Sequence, residues 1–340
     1  MRVLKLPKKN RNEFIQRLQD FGDVHIPISK GKDNFVFKKM ETPEQIAWDY
    51  LRTIVPPKKY VTPPKESLVS YQLDEGYEET DPTYEKTQII FGLHPCDIHG
   101  LNIMDMVYDG EYDDKYYFKH RKDLAVIGLS CTPDDKCFCR SMGTDSVDSG
   151  YDLFLSELDD SYMVAVGTGL GDRIIQSAKH LLQESNEQDR REYLESRNKR
   201  KDQFQIELDT SDLPYILDLE KESEIWDEIG AQCMVCGSCS MVCPTCYCFN
   251  MYDQQNLDGQ SGERFREWDS CLFKNYTRVA GGETFRDTRA DRVKNRYVHK
   301  QGHFVEEYGR PSCVGCGRCI DACPAGINVV EVFQRLRGAV

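Results

Sequence analysis

Two cysteine-rich stretches, CMVCGSCSMVCP at residues 233–244 and CVGCGRCIDACP at residues 313–324, decide the fold of the C-terminal part of the chain. Both have the spacing C-x2-C-x2-C-x3-C-P, which bacterial ferredoxins use to ligate [4Fe–4S] clusters. In that arrangement the first three cysteines of a stretch bind one cluster and the fourth binds the other. The spacing therefore predicts two clusters, one held by Cys233, Cys236, Cys239 and Cys323 and the other by Cys313, Cys316, Cys319 and Cys243.

The alternative for these cysteines is a pair of structural zinc sites, because C-x2-C units also bind zinc. Zinc requires neither the third and fourth cysteines of each stretch nor the following prolines, Pro244 and Pro324. Small residues between the cysteines, such as Gly237 and Gly315, would let main-chain amides approach the sulfurs. These features favour iron–sulfur clusters.

A long insert separates the two stretches, with 69 residues between Cys243 and Cys313. Its residues 284–300 contain six basic and two acidic side chains. One interpretation is that these cations form a solvated helical face. The other is that they offset the negative charge of the thiolates and clusters, or that they face an acidic partner. The length of the insert favours a mainly helical version of a two-cluster ferredoxin-like domain.

The N-terminal region has the pattern of an α/β domain. The apolar runs QIIFGL (88–93) and LAVIGL (124–129) predict strands, and residues 98–108 between them predict a helix, so the two strands are expected to be parallel. Residues 152–168 predict a hairpin that turns at 159–161. The segment GTGLGD (167–172) has only part of a dinucleotide-binding fingerprint and is interpreted as a turn. Residues 172–208 predict solvated helix.

Four cysteines follow the two predicted parallel strands: Cys96 in HPCD after the first, and Cys131, Cys137 and Cys139 in SCTPDDKCFC after the second. Because ligands gather at the carboxyl ends of neighbouring parallel strands, these thiols could hold a third [4Fe–4S] cluster. A zinc site and free or buried thiols are the alternatives. The flanking His94 and His99 are expected to have core or surface roles. Three further cysteines, Cys246, Cys248 and Cys271, are expected not to be ligands.

The composition of the chain excludes several classes of protein. The chain has 340 residues, a formal net charge of −13 and 15 cysteines. The negative charge disfavours nucleic-acid binding, and the apolar runs are too short for a membrane span. Without an apolar secretory signal we expect a cytoplasmic location, where cysteines serve metal or redox sites rather than disulfides. We therefore predict an α+β protein with an α/β domain at 1–175, a charged helical connector at 176–225 and the two-cluster domain at 226–340.

Several stretches together resemble one family, the iron–sulfur beta subunits of cytosolic NAD(P)-linked nickel–iron hydrogenases of the sulfhydrogenase type. The stretches are FGLHPCDIHGLNIMD (91–105), IGLSCTPDDKCFC (127–139), CMVCGSCSMVCPTCYC (233–248), REWDSC (266–271), AGGETFRDT (280–288) and CVGCGRCIDACPAGI (313–327). The A-type iron–sulfur subunit of anaerobic sulfite reductase shares much of the pattern. The resemblance implies a non-catalytic subunit that carries electrons between a partner with FAD and NAD(P) and a catalytic partner, such as the hydrogenase small and large subunits.

Three other functions remain open from the sequence. The catalytic partner could be a sulfite reductase or another flavin-coupled dehydrogenase. The chain could be a structural metal-binding adaptor that moves no electrons. It could also be a reductase with its own flavin in the N-terminal domain, although no motif requires one.

Overall fold

The computed structural model describes residues 2–338, and within this range twelve strands form two sheets. The strands are β1 (Val3–Pro7), β2 (Asp23–Ser29), β3 (Phe35–Lys39), β4 (Lys65–Gln72), β5 (Gly76–Glu79), β6 (Gln88–Leu93), β7 (Leu124–Leu129), β8 (Leu153–Glu157), β9 (Ser161–Val166), β10 (Gln183–Glu184), β11 (Phe249–Gln255) and β12 (Ser261–Trp268).

Helices cover the sheets and form the C-terminal region. They are α1 (Arg11–Arg17), α2 (Pro95–Tyr108), α3 (Lys115–Lys122), α4 (Gly169–Ser177), α5 (Glu187–Asp202), α6 (Leu213–Leu219), α7 (Ile225–Gln232), α8 (Ser238–Met241), α9 (Arg289–Val298), α10 (Phe304–Tyr308), α11 (Arg318–Asp321) and α12 (Val329–Leu336). A π-helical turn, His299–His303, joins α9 to α10.

The larger sheet has the strand order β10-β1-β9-β8-β7-β6-β2-β3. Its central strands β2, β6, β7 and β8 are parallel, and β8 and β9 form an antiparallel hairpin. Both the parallel α/β unit and the hairpin were predicted. Every residue of β6 and β7 is buried, because α1 and α4 pack on one face and α2 and α3 on the other. The carboxyl ends of β6 and β7 therefore meet at one edge, where α2 begins.

The smaller sheet has the order β11-β12-β4-β5 and combines strands from distant parts of the sequence. Strands β11 and β12 belong to the insert between the cysteine stretches, and the sequence analysis did not predict them. Strand β12 pairs with β4, and the buried Arg266 of β12 donates two hydrogen bonds to Glu66 of β4, at 2.9 and 2.6 Å. The division of the chain at 175 and 226 stays a prediction, and this sheet ties the two sides of it together.

Two further segments differ from simple expectation. The segment 167–172 is not only a turn, since Thr168 caps α4 by accepting a hydrogen bond from the amide of Gly171. The segment 176–225, predicted as a helical connector, contains α5 and α6 and also β10, which extends the larger sheet beside β1.

The C-terminal core is built from α6, α7, α9 and α12, whose large side chains include Trp226, Tyr297 and Phe333. The two cysteine stretches each end in a one-turn helix, α8 or α11. Gly237 and Gly317 precede these helices with φ of 75° and 73°, which glycine adopts without the steric cost of a side chain. The helical core and dicluster region agree with the predicted α+β class.

Candidate metal centres

The structure brings the eight cysteines of the two stretches around two adjoining cavities. The first cavity is lined by Cys233, Cys236, Cys239 and Cys323. The second cavity is lined by Cys243, Cys313, Cys316 and Cys319. These are the two sets predicted from the spacing, in which the fourth cysteine of each stretch joins the other stretch. Cys319 also borders the first cavity, so the two sites are neighbours.

Main-chain amides point at sulfurs of the first cavity. The amide of Val235 donates to Cys233 Sγ at 3.4 Å, and the amide of Ile327 donates to Cys323 Sγ at 3.3 Å. Such N–H donors stabilise negative charge on a ligating sulfur. Among the described residues no group of three His, Cys, Asp or Glu side chains is close enough to hold a single metal ion. The eight sulfur-bearing residues instead line the two cavities.

Two buried cations lie against these thiols. Arg296 of α9 lines both cavities, and Lys300 in the π-helical turn lines the second. Burial opposes their charge, but the thiolates of Cys239 and Cys319 raise the pKa of Arg296, and those of Cys243 and Cys246 raise the pKa of Lys300. Both side chains therefore remain charged and offset the negative charge of the sulfurs.

The remaining cations of residues 284–300 do not share this position. Arg286 and Lys294 are partly exposed. Arg289 is exposed, but it donates to the main-chain oxygen of Cys233 at 3.4 Å, and its charge opposes the rise that burial causes in the pKa of Cys233. Arg292 is buried, but it donates to the main-chain oxygens of Leu272, at 2.9 Å, and of Arg286 and Asp287. The interpretation that cations offset the thiolates thus holds for three of the six basic residues, Arg289, Arg296 and Lys300.

The four N-terminal cysteines also come together, at the carboxyl edge of the larger sheet. Cys96 lies in the first turn of α2, and Cys131 follows β7 directly. The thiol of Cys139 hydrogen-bonds with those of Cys96 and Cys137, and Cys131 is close enough to Cys96 and Cys137 for their charges to interact. We call these four residues the N-terminal thiol group.

The N-terminal thiol group packs directly against the second cavity. The amide of Phe138 donates to the oxygen of Gly315 at 2.9 Å, and Cys139 Sγ donates to the same oxygen at 3.2 Å. Gly315 has φ of +64°, and a Cβ atom there would lie 2.6 Å from the carbonyl of Phe138. Cys316, the next residue, lies near Cys96. The main chain at Phe138 therefore contacts the main chain at Gly315, between the N-terminal thiol group and the second cavity.

Charged side chains at this contact were missed by the sequence analysis. Arg52 donates to Cys137 Sγ at 3.4 Å and pairs with Asp134. Arg318, within the second cysteine stretch, pairs with Asp97, the neighbour of Cys96. The sequence offered a signal for the pair of Arg318 and Asp97, because the motifs HPCD and CGRC each contain one charged residue. No local signal indicates Arg52, because its partners are distant in sequence.

The two histidines beside Cys96 were expected to have core or surface roles; His94 is buried and His99 is half-buried. The ring nitrogens of the buried His94 face the main-chain oxygens of Leu129, at 3.1 Å, and Tyr50, at 3.0 Å. His99 Nε2 faces the oxygen of Ser146 at 2.8 Å.

The three remaining cysteines line neither of the two cavities, and each hydrogen-bonds with another cysteine. Cys246 hydrogen-bonds with Cys243, and Cys248 hydrogen-bonds with Cys271. That they are not cluster ligands stays a prediction.

The donor sets fit iron–sulfur clusters, because each cavity has four soft thiol ligands and a buried cation beside it. Main-chain amides donate to sulfurs of both cavities, in the second from Gly315 to Cys313. The buried Arg296 Nε has no hydrogen-bond partner among the described residues, as expected of a group that faces a cluster and its ligands. Helices long and apolar enough to cross a membrane are absent from the described part of the chain.

Comparison with known proteins agrees with this geometry. Residues 232–327 match the 4Fe-4S dicluster domain family, so the C-terminal region defines an iron–sulfur dicluster protein. The chain is also 37% identical to sulfhydrogenase 2 subunit beta of Pyrococcus furiosus over 337 residues, which cover 99% of both chains. The chain belongs to the family of sulfhydrogenase beta subunits, and the resemblance found in the sequence is confirmed. The dicluster match favours iron–sulfur clusters over zinc.

Proposed function

We propose that this chain is the electron-transfer subunit of a nickel–iron hydrogenase complex. It relays single electrons between a subunit that binds FAD and NAD(P) and the hydrogenase catalytic subunits. One observation carries the proposal: the first cavity adjoins the second cavity, and the second cavity adjoins the N-terminal thiol group. Cys319 borders both cavities, and Gly315 joins the second cavity to the N-terminal thiol group.

The ligand sets that we propose are the two cavity sets and the N-terminal thiol group. Cys233, Cys236, Cys239 and Cys323 hold one [4Fe–4S] cluster; Cys243, Cys313, Cys316 and Cys319 hold the second; Cys96, Cys131, Cys137 and Cys139 hold the third. Each cluster supplies a one-electron couple, so a row of them converts the electron pair of a hydride into single-electron steps.

Other features of the chain would adjust the reduction potentials of the three proposed clusters and shield the clusters from solvent. Arg296 and Lys300 place positive charge beside the thiols, which favours the reduced state of a nearby cluster. Most of the cysteines are buried or half-buried, which limits the access of water and oxidants. We propose a cytoplasmic location, because all 15 cysteines are free thiols, as suits a reducing compartment.

The first test is the metal content of the anaerobically purified chain. About twelve irons with matching labile sulfide are expected for three clusters, and about eight would leave the N-terminal thiol group without one. Zinc without a reducible spectrum would contradict electron transfer and favour a structural adaptor. Bound flavin in the isolated chain would favour a self-contained reductase.

The second test uses the assembled complex. Cys316→Ala should abolish NAD(P)H-linked hydrogen turnover, because it removes a ligand in the middle of the row. Hydrogen-driven reduction of a dye at the catalytic subunits should continue. Unchanged NAD(P)H-linked turnover in this variant would contradict the proposal, and sulfite-dependent turnover in the wild-type complex would instead indicate a sulfite reductase partner.

A further inference from the structure

Cys248 and Cys271 lie at the paired ends of the insert hairpin. Cys248 directly precedes β11, and Cys271 follows β12 by three residues. The ladder pairs Phe249 with Trp268 and continues outward, since the amide of Asp269 donates to the oxygen of Cys248 at 2.9 Å. The hairpin therefore places Cys248 opposite Asp269 and brings Cys271, two residues further along the chain, near Cys248.

The two side chains are in contact. The Cys248 and Cys271 thiols hydrogen-bond to each other, and the hydroxyl of Tyr276 also donates to Cys248. Cys271 is buried and Cys248 is half-buried. A disulfide has an S–S distance of about 2.05 Å, so the two sulfurs must move closer than hydrogen-bond contact for the bond to form.

Their position relates them to both cavities. Cys271 is near Cys239 of the first cavity and near Arg296. Cys248 is near Lys300, which binds Thr245 Oγ1 at 2.9 Å beside Cys243 of the second cavity. The pair lines neither cavity, so its sulfurs are left available for chemistry of their own.

We propose that Cys248 and Cys271 form a redox-active dithiol that exchanges two electrons with the neighbouring [4Fe–4S] clusters, an inference that rests on the proposed function for the clusters. On oxidation, the Cys248 thiolate and the Cys271 thiol form one S–S bond and release one proton. They give up two electrons, one to each of two oxidised clusters. On reduction, two reduced clusters return one electron each, the S–S bond breaks and one proton is taken up.

The chemistry of the pair supports this assignment. The hydrogen bond from Cys271 lowers the pKa of Cys248 to about 6, so Cys248 is a thiolate at neutral pH. The thiolate is the reactive form in thiol–disulfide chemistry. A dithiol stores electrons in pairs, as hydrogen and nicotinamide do, whereas clusters pass them singly. The pair would store two electrons together, and two clusters would then carry them away one at a time.

The test measures the thiols directly in the anaerobic, cluster-loaded chain. Samples are equilibrated with redox mediators over a range of potentials, quenched in acid, alkylated and digested without reductant. Mass spectrometry then gives the fraction of Cys248 joined to Cys271. We expect a cross-linked peptide whose fraction follows a two-electron Nernst curve and which is lost in Cys248→Ser and Cys271→Ser. Tyr276→Phe is the matched control, because it keeps both sulfurs and should keep the cross-link.

Two results would overturn the inference. One is alkylation of both cysteines at every potential. The other is a lower iron content in the Cys248→Ser/Cys271→Ser double variant than in wild type, which would make the pair cluster ligands. Cluster spectra of the same samples separate the two proposals. Reducible clusters without a cross-link would contradict only the dithiol. A cross-link without clusters would contradict the proposed function, and with it the exchange of electrons between the pair and the clusters.

Discussion

Arg318 and Asp97 form a buried ion pair that joins the second ferredoxin-type stretch to the N-terminal thiol group. Arg318 Nη1 lies 2.8 Å from Asp97 Oδ1, and Nη2 donates to Oδ2 at 3.1 Å. The two side chains are 2% and 0% exposed. Because Asp97 adjoins Cys96 and Arg318 lies between Cys316 and Cys319, the pair spans the contact between two proposed cluster sites.

The first prediction concerns removal of one partner of this pair. Asp97→Ala should lower the free energy of unfolding by about 3–5 kcal/mol, since it leaves the Arg318 guanidinium buried without its counter-charge. Anaerobic urea denaturation of the cluster-loaded chain measures this. Asp172→Ala is the control, because it breaks an exposed pair with Arg2 and should cost less than about 1 kcal/mol. Equal losses of unfolding free energy in the two variants would show that the buried pair stabilises the fold no more than the exposed pair does.

The second prediction tests the close contact of main chains at Gly315. Gly315→Ala should displace the loop of Phe138 and Cys139 and lower iron content, because its Cβ would lie 2.6 Å from the Phe138 carbonyl. Gly309→Ala is a matched control: its φ of +70° is similar, but nothing lies within 4 Å of its Cβ position. It should lose about 1–2 kcal/mol of stability from the left-handed backbone and keep its iron. Full iron content in Gly315→Ala would refute the steric argument.

The third prediction concerns the electrostatic role of Arg296. Arg296→Gln should lower the reduction potential of the flanking clusters by on the order of 60 mV, because a positive charge favours the more negative, reduced cluster. Anaerobic redox titration followed by electron paramagnetic resonance gives the potentials. Lys274→Gln removes an exposed cation that pairs with Asp287 and should leave them unchanged. Potentials that do not move, or that rise, in Arg296→Gln would contradict this role.

The fourth prediction tests the third ligand set. Cys137→Ala should lower the iron content by about four atoms per chain if the N-terminal thiol group holds a [4Fe–4S] cluster. Cys246→Ser is the control, since Cys246 contacts Cys243 but is proposed not to be a ligand. Iron and labile sulfide are measured on both purified variants. Wild-type iron in Cys137→Ala, or lost iron in Cys246→Ser, would require the ligand sets to be revised.

How much could be predicted from the sequence depends on how local each feature is. The cysteine sets of the two cavities follow from a short repeated spacing, and the parallel strands β6 and β7 follow from continuous apolar runs. Strand β12 was missed because its sequence, SGERFREW, has charged residues where an amphipathic strand would have apolar ones. Its buried Arg266 is compensated by Glu66, a partner from β4 that no local pattern reveals.

The last prediction is a pH dependence that arises at His299. Burial, together with the charge of Lys300, lowers the pKa of His299 from 6.5 to about 4, and its Nε2 lies 3.0 Å from the hydroxyl of Tyr247. As pH falls from about 6.5 to about 4, the unfolded chain binds a proton at His299 that the folded chain does not, so this contribution to stability is lost. His299→Gln stays neutral and should lose less stability than wild type between about pH 7 and about pH 5. Urea midpoints at the two pH values give the difference, with His180→Gln, which removes an exposed histidine, as the control. An equal decline in His299→Gln and wild type would show that His299 does not set the acid sensitivity.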